Sequence, residues 1–191
     1  MHVKRLLLIA AIVVLTALPA AAAGPYFSLS PNVWLPHRTF SSDYSLHPAS
    51  TDYSPGVGIA GAFGVMTARG LRIEYEISYR EAQAKHGVED TWAAASMMNM
   101  WQHLPISNSL SAYAGGGIGF ARSHVASSGF VDQTGPGFGY QAGFGVDFRL
   151  SRRMSMDIGY RYFGVADTAA HSIGPVDQTG SSVLAGLRFG L

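Results

Sequence analysis

Through most of the chain apolar residues recur at every second position, which is the period of a β-strand. Between residues 71 and 80 the alternation is complete. Leu71, Ile73, Tyr75, Ile77 and Tyr79 take one face, and Arg72, Glu74, Glu76, Ser78 and Arg80 take the other. A second full alternation covers 138–150, where Phe138, Tyr140, Ala142, Phe144, Val146, Phe148 and Leu150 oppose Gly139, Gln141, Gly143, Gly145, Asp147 and Arg149. Weaker runs at 27–35, 57–65, 92–100, 110–120, 154–162 and 183–191 bring the expected total to eight strands. The run at 92–100 is the least regular, because Met97 and Trp101 blur its polar face.

The connections alternate in length. Those at 67–70, 105–109 and 151–153 are short, and those at 36–52, 82–90, 122–136 and 164–180 are longer and rich in Ser, Asp, His and Gly. The pentapeptide VDQTG occurs at 131–135 and again at 176–180, each time expected just ahead of a strand. It reads either as loop punctuation or as a surface recognition element. Eight antiparallel strands place both chain ends on the side of the short turns. The pattern predicts an all-β fold, an eight-stranded antiparallel up-and-down β-barrel.

Alternation alone fits two barrels. A soluble lipocalin-like barrel points its apolar face at the core, and a membrane barrel points it at lipid. Three features favour lipid. The less apolar face is often built of tiny residues, as at Gly56, Gly58, Ala60, Ala62 and Gly64 and at Gly115, Gly117 and Gly119, which suit a narrow lumen better than a wet exterior. After residue 23 there is one lysine, Lys85, and it falls in a connection; a soluble exterior without lysine is poorly solvated. Aromatics on the apolar face (Tyr53, Tyr79, Trp92, Phe120, Phe138, Tyr140 and Tyr162) gather at the long-connection ends, as in an interfacial girdle. The charges then face inward: Arg72, Arg80, Arg149, Arg161 and Arg188 against Glu74, Glu76, Asp147 and Asp157. In so narrow a lumen they are expected to pair, Arg161 with Asp157 or Asp147 among them, and to leave no continuous pore.

The first residues imply export. Lys4 and Arg5 precede an uncharged apolar run at 6–18, then Pro19 and a stretch of alanines. This is the layout of a secretory signal peptide and is short for a spanning helix. Residues 1–23 are therefore read as the signal peptide and 24–191 as the barrel domain, with a cut a residue or two earlier as the alternative. Removing Lys4 and Arg5 leaves eleven basic and twelve acidic residues, so nothing points to nucleic acid. Cysteine is absent, which excludes a disulfide scaffold. Charged residues make up 13 %, about half of the ~25 % usual in soluble domains.

YAGGGIGFARS at 113–123, GYQAGFGVDFRLSRRMSMDIGYRYF at 139–163, Asn99 and the terminal GLRFGL carry a family likeness. On these motifs the chain resembles the small outer-membrane barrels, the OmpA-like and Opa-like porin-family β-barrel domains. The resemblance implies an integral protein of the bacterial outer membrane, in contact with lipid bilayer and lipopolysaccharide and inserted by the barrel-insertion machinery. That family usually ends in an aromatic residue read by this machinery. Here the last residue is Leu191, and Phe189 has the matching facing.

The chain offers candidates for chemistry but no assigned catalytic, cofactor-binding or metal residue, and no cofactor is expected. Glu74 and Glu76 are paired carboxylates with arginines on the same face, which points to ion pairing. His171 with Ser172, and His124 with Ser127, place a base beside a hydroxyl, but in connections without the context that fixes a nucleophile. His37, His47, His86, His124 and His171 fall in the four long connections, without the close spacing of a zinc site. The GxG runs lack the following helix that phosphate binding needs. The leading expectation is a non-enzymatic barrel that supports the cell envelope and displays surface loops to host or extracellular ligands. The alternatives are a surface lipid-modifying enzyme and a soluble periplasmic binder of apolar ligands.

Overall fold

The alternating segments pair edge to edge and close on themselves. The computed structural model describes residues 22–37, 39–41, 49–51, 54–83, 90–127, 130–167 and 178–191. Its strands are β1 (Ala22–Pro36), β2 (Thr39–Ser41), β3 (Ala49–Thr51), β4 (Gly56–Thr67), β5 (Leu71–Gln83), β6 (Asp90–Pro105), β7 (Leu110–Ser127), β8 (Phe130–Arg149), β9 (Met154–Asp167) and β10 (Gln178–Gly190). Eight of them form one closed barrel in the order β1-β10-β9-β8-β7-β6-β5-β4. Every neighbouring pair is antiparallel, and closure is made by β1 on β10, with Phe27 opposite Phe189 and Asn32 opposite Leu184. β2 and β3 form a separate ribbon within the first long connection.

Burial settles which face looks where. On β5 the exposure alternates residue by residue, with Glu76 1 % and Ile77 61 % exposed. Phe120 is 77 % exposed while Asn99 is 2 %. A water-soluble barrel would show the reverse. Here the outside is a continuous apolar surface and the polar side chains are the core, so the surrounding solvent is hydrocarbon. The lipocalin-like alternative is excluded by this inversion.

The short turns stand as the sequence predicted. Between β4 and β5 the Gly70 N–H donates to the Thr67 carbonyl at 3.0 Å, with Gly70 at φ +79°, a conformation that favours glycine. The β8–β9 turn is tied by Ser151, whose Oγ accepts from Arg153 N at 3.2 Å and Met154 N at 3.1 Å. Ser107 does the same for Ser109 and Leu110 between β6 and β7.

The long-connection side differs from expectation. The segment 122–136 is mostly ladder, with Arg122 opposite Pro136 and His124 opposite Thr134, leaving only 128–129 between β7 and β8. The first VDQTG therefore lies inside β8, and the second runs into β10 at Gln178. β5 likewise continues to Gln83. A ladder that has left the apolar layer no longer needs an apolar face. Hydrophobic alternation thus ends before backbone pairing does.

Candidate functional site

The lumen holds the densest chemistry of the described residues, and β5 supplies its axis. Alternation turns Arg72, Glu74, Glu76, Ser78 and Arg80 inward in sequence, and each is buried. The Glu74 carboxylate accepts from Tyr26 Oη at 2.5 Å, Trp101 Nε1 at 2.8 Å and Asn99 Nδ2 at 3.2 Å. Arg72 Nε lies 3.4 Å from it. Glu76 accepts from Arg161 Nη1 at 2.5 Å, Asn99 Nδ2 at 3.1 Å and Gln141 Nε2 at 3.2 Å. Gln141 also donates to Asn99 Oδ1 at 2.7 Å. Five strands thus meet in one hydrogen-bonded layer.

Below it, toward the short turns, Tyr113 Oη donates to Asp157 at 3.0 Å, and Arg188 pairs with Asp147 and donates to Ser155 Oγ. Gly145 makes room for Tyr113, because a Cβ there would meet the phenol oxygen at 2.6 Å. Above it, Arg80 lies over the Phe163 ring at 3.7 Å and the Trp34 ring at 5.1 Å. These rings form a buried apolar cluster with Met97, Ala93, Ala95, Ala121 and Val165. The charged layer is thereby capped on the long-connection side by an aromatic and aliphatic plug, with the cation stabilised by ring faces. Between plug and network, the space beside Glu76, Arg80 and Arg161 is about 10 Å³, at most the size of a single water.

Two expectations about the charges are corrected. Arg149 has the inward parity, but it is exposed because it stands at the last rung of β8, where the lumen opens. Four arginines (Arg72, Arg80, Arg161 and Arg188) are therefore buried with four carboxylates (Glu74, Glu76, Asp147 and Asp157), in balance. The partner of Arg161 is Glu76, across the barrel, rather than its neighbour Asp157 or Asp147.

Of the five connection histidines, His37 and His124 are among the described residues. His37 Nε2 is 3.1 Å from Ser181 Oγ, and its ring lies 5.6 Å from that of Tyr162. His124 stacks on Trp92 with centroids 6.0 Å apart. Ser127 is paired with Phe130 in the β7–β8 ladder. His47, His86, His171 and Ser172 lie outside the described residues, as does Tyr53 of the girdle. Among the described residues no three His, Asp or Glu side chains gather as a metal-binding group. The rest of the girdle is in place: Tyr79 stacks near Trp92 and Tyr140 near Tyr162, with centroids 6.3 and 6.4 Å apart.

The inward aromatics Tyr26, Trp34, Tyr113 and Phe163, and also His103, were not among the lumen residues expected from sequence. Parity was the available signal. Trp101 shares a face with Asn99, and Phe163 with Arg161.

Comparison with known proteins agrees with this geometry. A family described as "Outer membrane protein beta-barrel domain" matches residues 7–189. No curated protein sequence matches. Among solved structures, Neisserial surface protein A is similar at TM-score 0.61 and 17 % identity, covering 89 % of this chain and 99 % of that one. OprG from Pseudomonas aeruginosa is similar at TM-score 0.58 and 13 % identity, covering 90 % and 98 %. AlkL, solved in lipid bilayers, gives TM-score 0.52 and 13 % identity, covering 90 % and 92 %. At these identities the likeness is one of fold.

Proposed function

Since this chain belongs to the outer-membrane protein β-barrel domain family and sits in the bacterial outer membrane, embedded in its lipid bilayer, we propose that it is a non-enzymatic barrel. It braces the cell envelope and presents its long connections to extracellular contacts. The observation that carries this reading is the saturation of the lumen carboxylates. Glu74 and Glu76 accept from Tyr26, Trp101, Asn99, Gln141 and Arg161. A carboxylate held by several donors is a structural counter-ion and a poor general base.

Three partners and one processing step belong to this reading. The aromatic rim with Arg122 suits the lipopolysaccharide leaflet. Phe189, stacked on Phe27 at 4.9 Å on the outer face of the last strand, suits recognition by the insertion machinery. The long connections suit host or extracellular ligands. Cleavage after Ala23 removes Ala22 and its pairing with Thr67 but keeps the ladder from Gly24 onward.

The reading is tested in a deletion strain. Its lipid A mass spectrum should be unchanged, while its outer membrane becomes more permeable to large antibiotics. Altered lipid A acylation, restored by the wild-type gene, would show that the barrel is a lipid-modifying enzyme. N-terminal sequencing of the mature protein should begin at Gly24.

A further inference from the structure

The charges of this barrel are sorted along its axis. The four buried arginines and four buried carboxylates cancel within the lumen. The short-turn rim carries Arg69, Arg149, Arg152 and Arg153, all exposed, and those turns contain no acidic side chain. After residue 23 this leaves three basic and eight acidic residues, which in the sequence fall in or next to the long connections. The short-turn rim is thus strongly basic, although the net charge is close to zero.

The basic rim surrounds a cavity of about 550 Å³ that opens between the short turns. Its walls include the four rim arginines and, deeper, Arg188, His103 and the carboxylate of Asp147. His103 and Arg188 are each 6 % exposed, yet His103 Nε2 and Arg188 Nη1 are buried without a hydrogen-bond partner. Arg188 is held in place through its other terminal nitrogen by Asp147 and Ser155. His103 is held by stacking on Tyr113 at 5.3 Å. Two residues with a buried, unpartnered nitrogen and four exposed arginines therefore line one concave space.

We propose that this vestibule is a binding site for a phosphate-bearing anion. Guanidinium groups offer paired donors that match phosphate oxygens, and such charge-assisted bonds are among the stronger ones. A concave site lined by one sign of charge with low-dielectric walls concentrates counter-ions of the other sign. Five arginines against one aspartate leave an excess that a single carboxylate would neutralise poorly and a phosphate group neutralises better. The rim stands where the spanning strands end, at the level of the headgroups, so the phosphate is that of a phospholipid headgroup or of a soluble phosphate ester.

The test uses the whole mature barrel, folded in uncharged detergent micelles. It is titrated with inorganic phosphate, against sodium chloride at matched ionic strength, and read by amide chemical shifts in the short turns. Wild type should show saturable shifts. The triple variant Arg149→Gln, Arg152→Gln, Arg153→Gln should bind at least about tenfold more weakly, the worth of one charge-assisted hydrogen bond. Its folding is checked by gel mobility without boiling, which these exposed substitutions should leave intact. Arg122→Gln on the opposite rim should bind as wild type does. A second arm places wild type and the triple variant in nanodiscs of phosphatidylcholine with an equal part of phosphatidylglycerol and counts retained phosphatidylglycerol by native mass spectrometry. Retention by wild type alone identifies the headgroup as the source, and phosphate binding without retention identifies a soluble ester. Equal phosphate affinity in wild type and triple variant, or shifts that chloride reproduces, would overturn the proposal.

Discussion

At Glu76 three donors from three strands converge on one carboxylate that is 1 % exposed. Arg161→Ala leaves that charge buried and short of its cation, which costs on the order of 3–5 kcal/mol. Arg122→Ala removes an exposed charge and should cost less than about 1 kcal/mol. Urea unfolding of the two variants in lipid vesicles reads the difference, and equal midpoints would mean a wet lumen. Coupling Arg161→Met with Glu76→Gln should recover much of the loss, because neither charge is then left alone. The opposite face obeys a different rule. Tyr75→Arg or Phe144→Arg puts a guanidinium into hydrocarbon and should block insertion or cost ~2–4 kcal/mol near the midplane. Gly143→Ala meets the Tyr160 carbonyl at 2.5 Å and should be felt as crowding, not as charge. Facing was legible residue by residue, because parity in a strand has only two values. Partner choice was not. Arg161 and Glu76 are 85 residues apart and meet only through the stagger of the closed barrel, which no local pattern encodes.

Each strand was visible where one of its faces had to be apolar, and invisible beyond. β6 blurred because its inward face is itself bulky, with Met97 and Trp101 both fully buried. Those side chains fill the lumen, so Trp101→Ala should open a cavity and also remove a donor from Glu74, at a cost of about 3–5 kcal/mol. Thermal unfolding followed by unboiled gel mobility measures this. A shift as small as that of an exposed alanine replacement would contradict the filled lumen. β7 and β8 outran their pattern for the opposite reason: past Phe120 and Phe138 the backbone ladder continues to Ser127 and Phe130 after the apolar alternation has ended. The amides of Val125 and Gln133 should accordingly exchange far more slowly than an unstructured chain, as measured by hydrogen exchange in micelles. Random-coil exchange there would restore the long connection that the sequence predicted.

For the molecule as a whole, composition said more than any motif. Scarce lysine, abundant glycine and a low charge content pointed to a barrel turned inside out. The structure has that arrangement, with an apolar exterior around a charge-balanced core. What composition could not show is how completely that core is filled. The Glu74–Glu76–Arg161 layer and the Trp34–Phe163–Arg80 plug are stacked along the same axis, and side chains fill an eight-stranded interior. Conductance of the refolded mature protein in a planar bilayer tests this most directly. The barrel should insert and pass no steady current. Long-lived, ion-selective steps from the wild-type protein would mean that the lumen is open and that its charged face lines a pore.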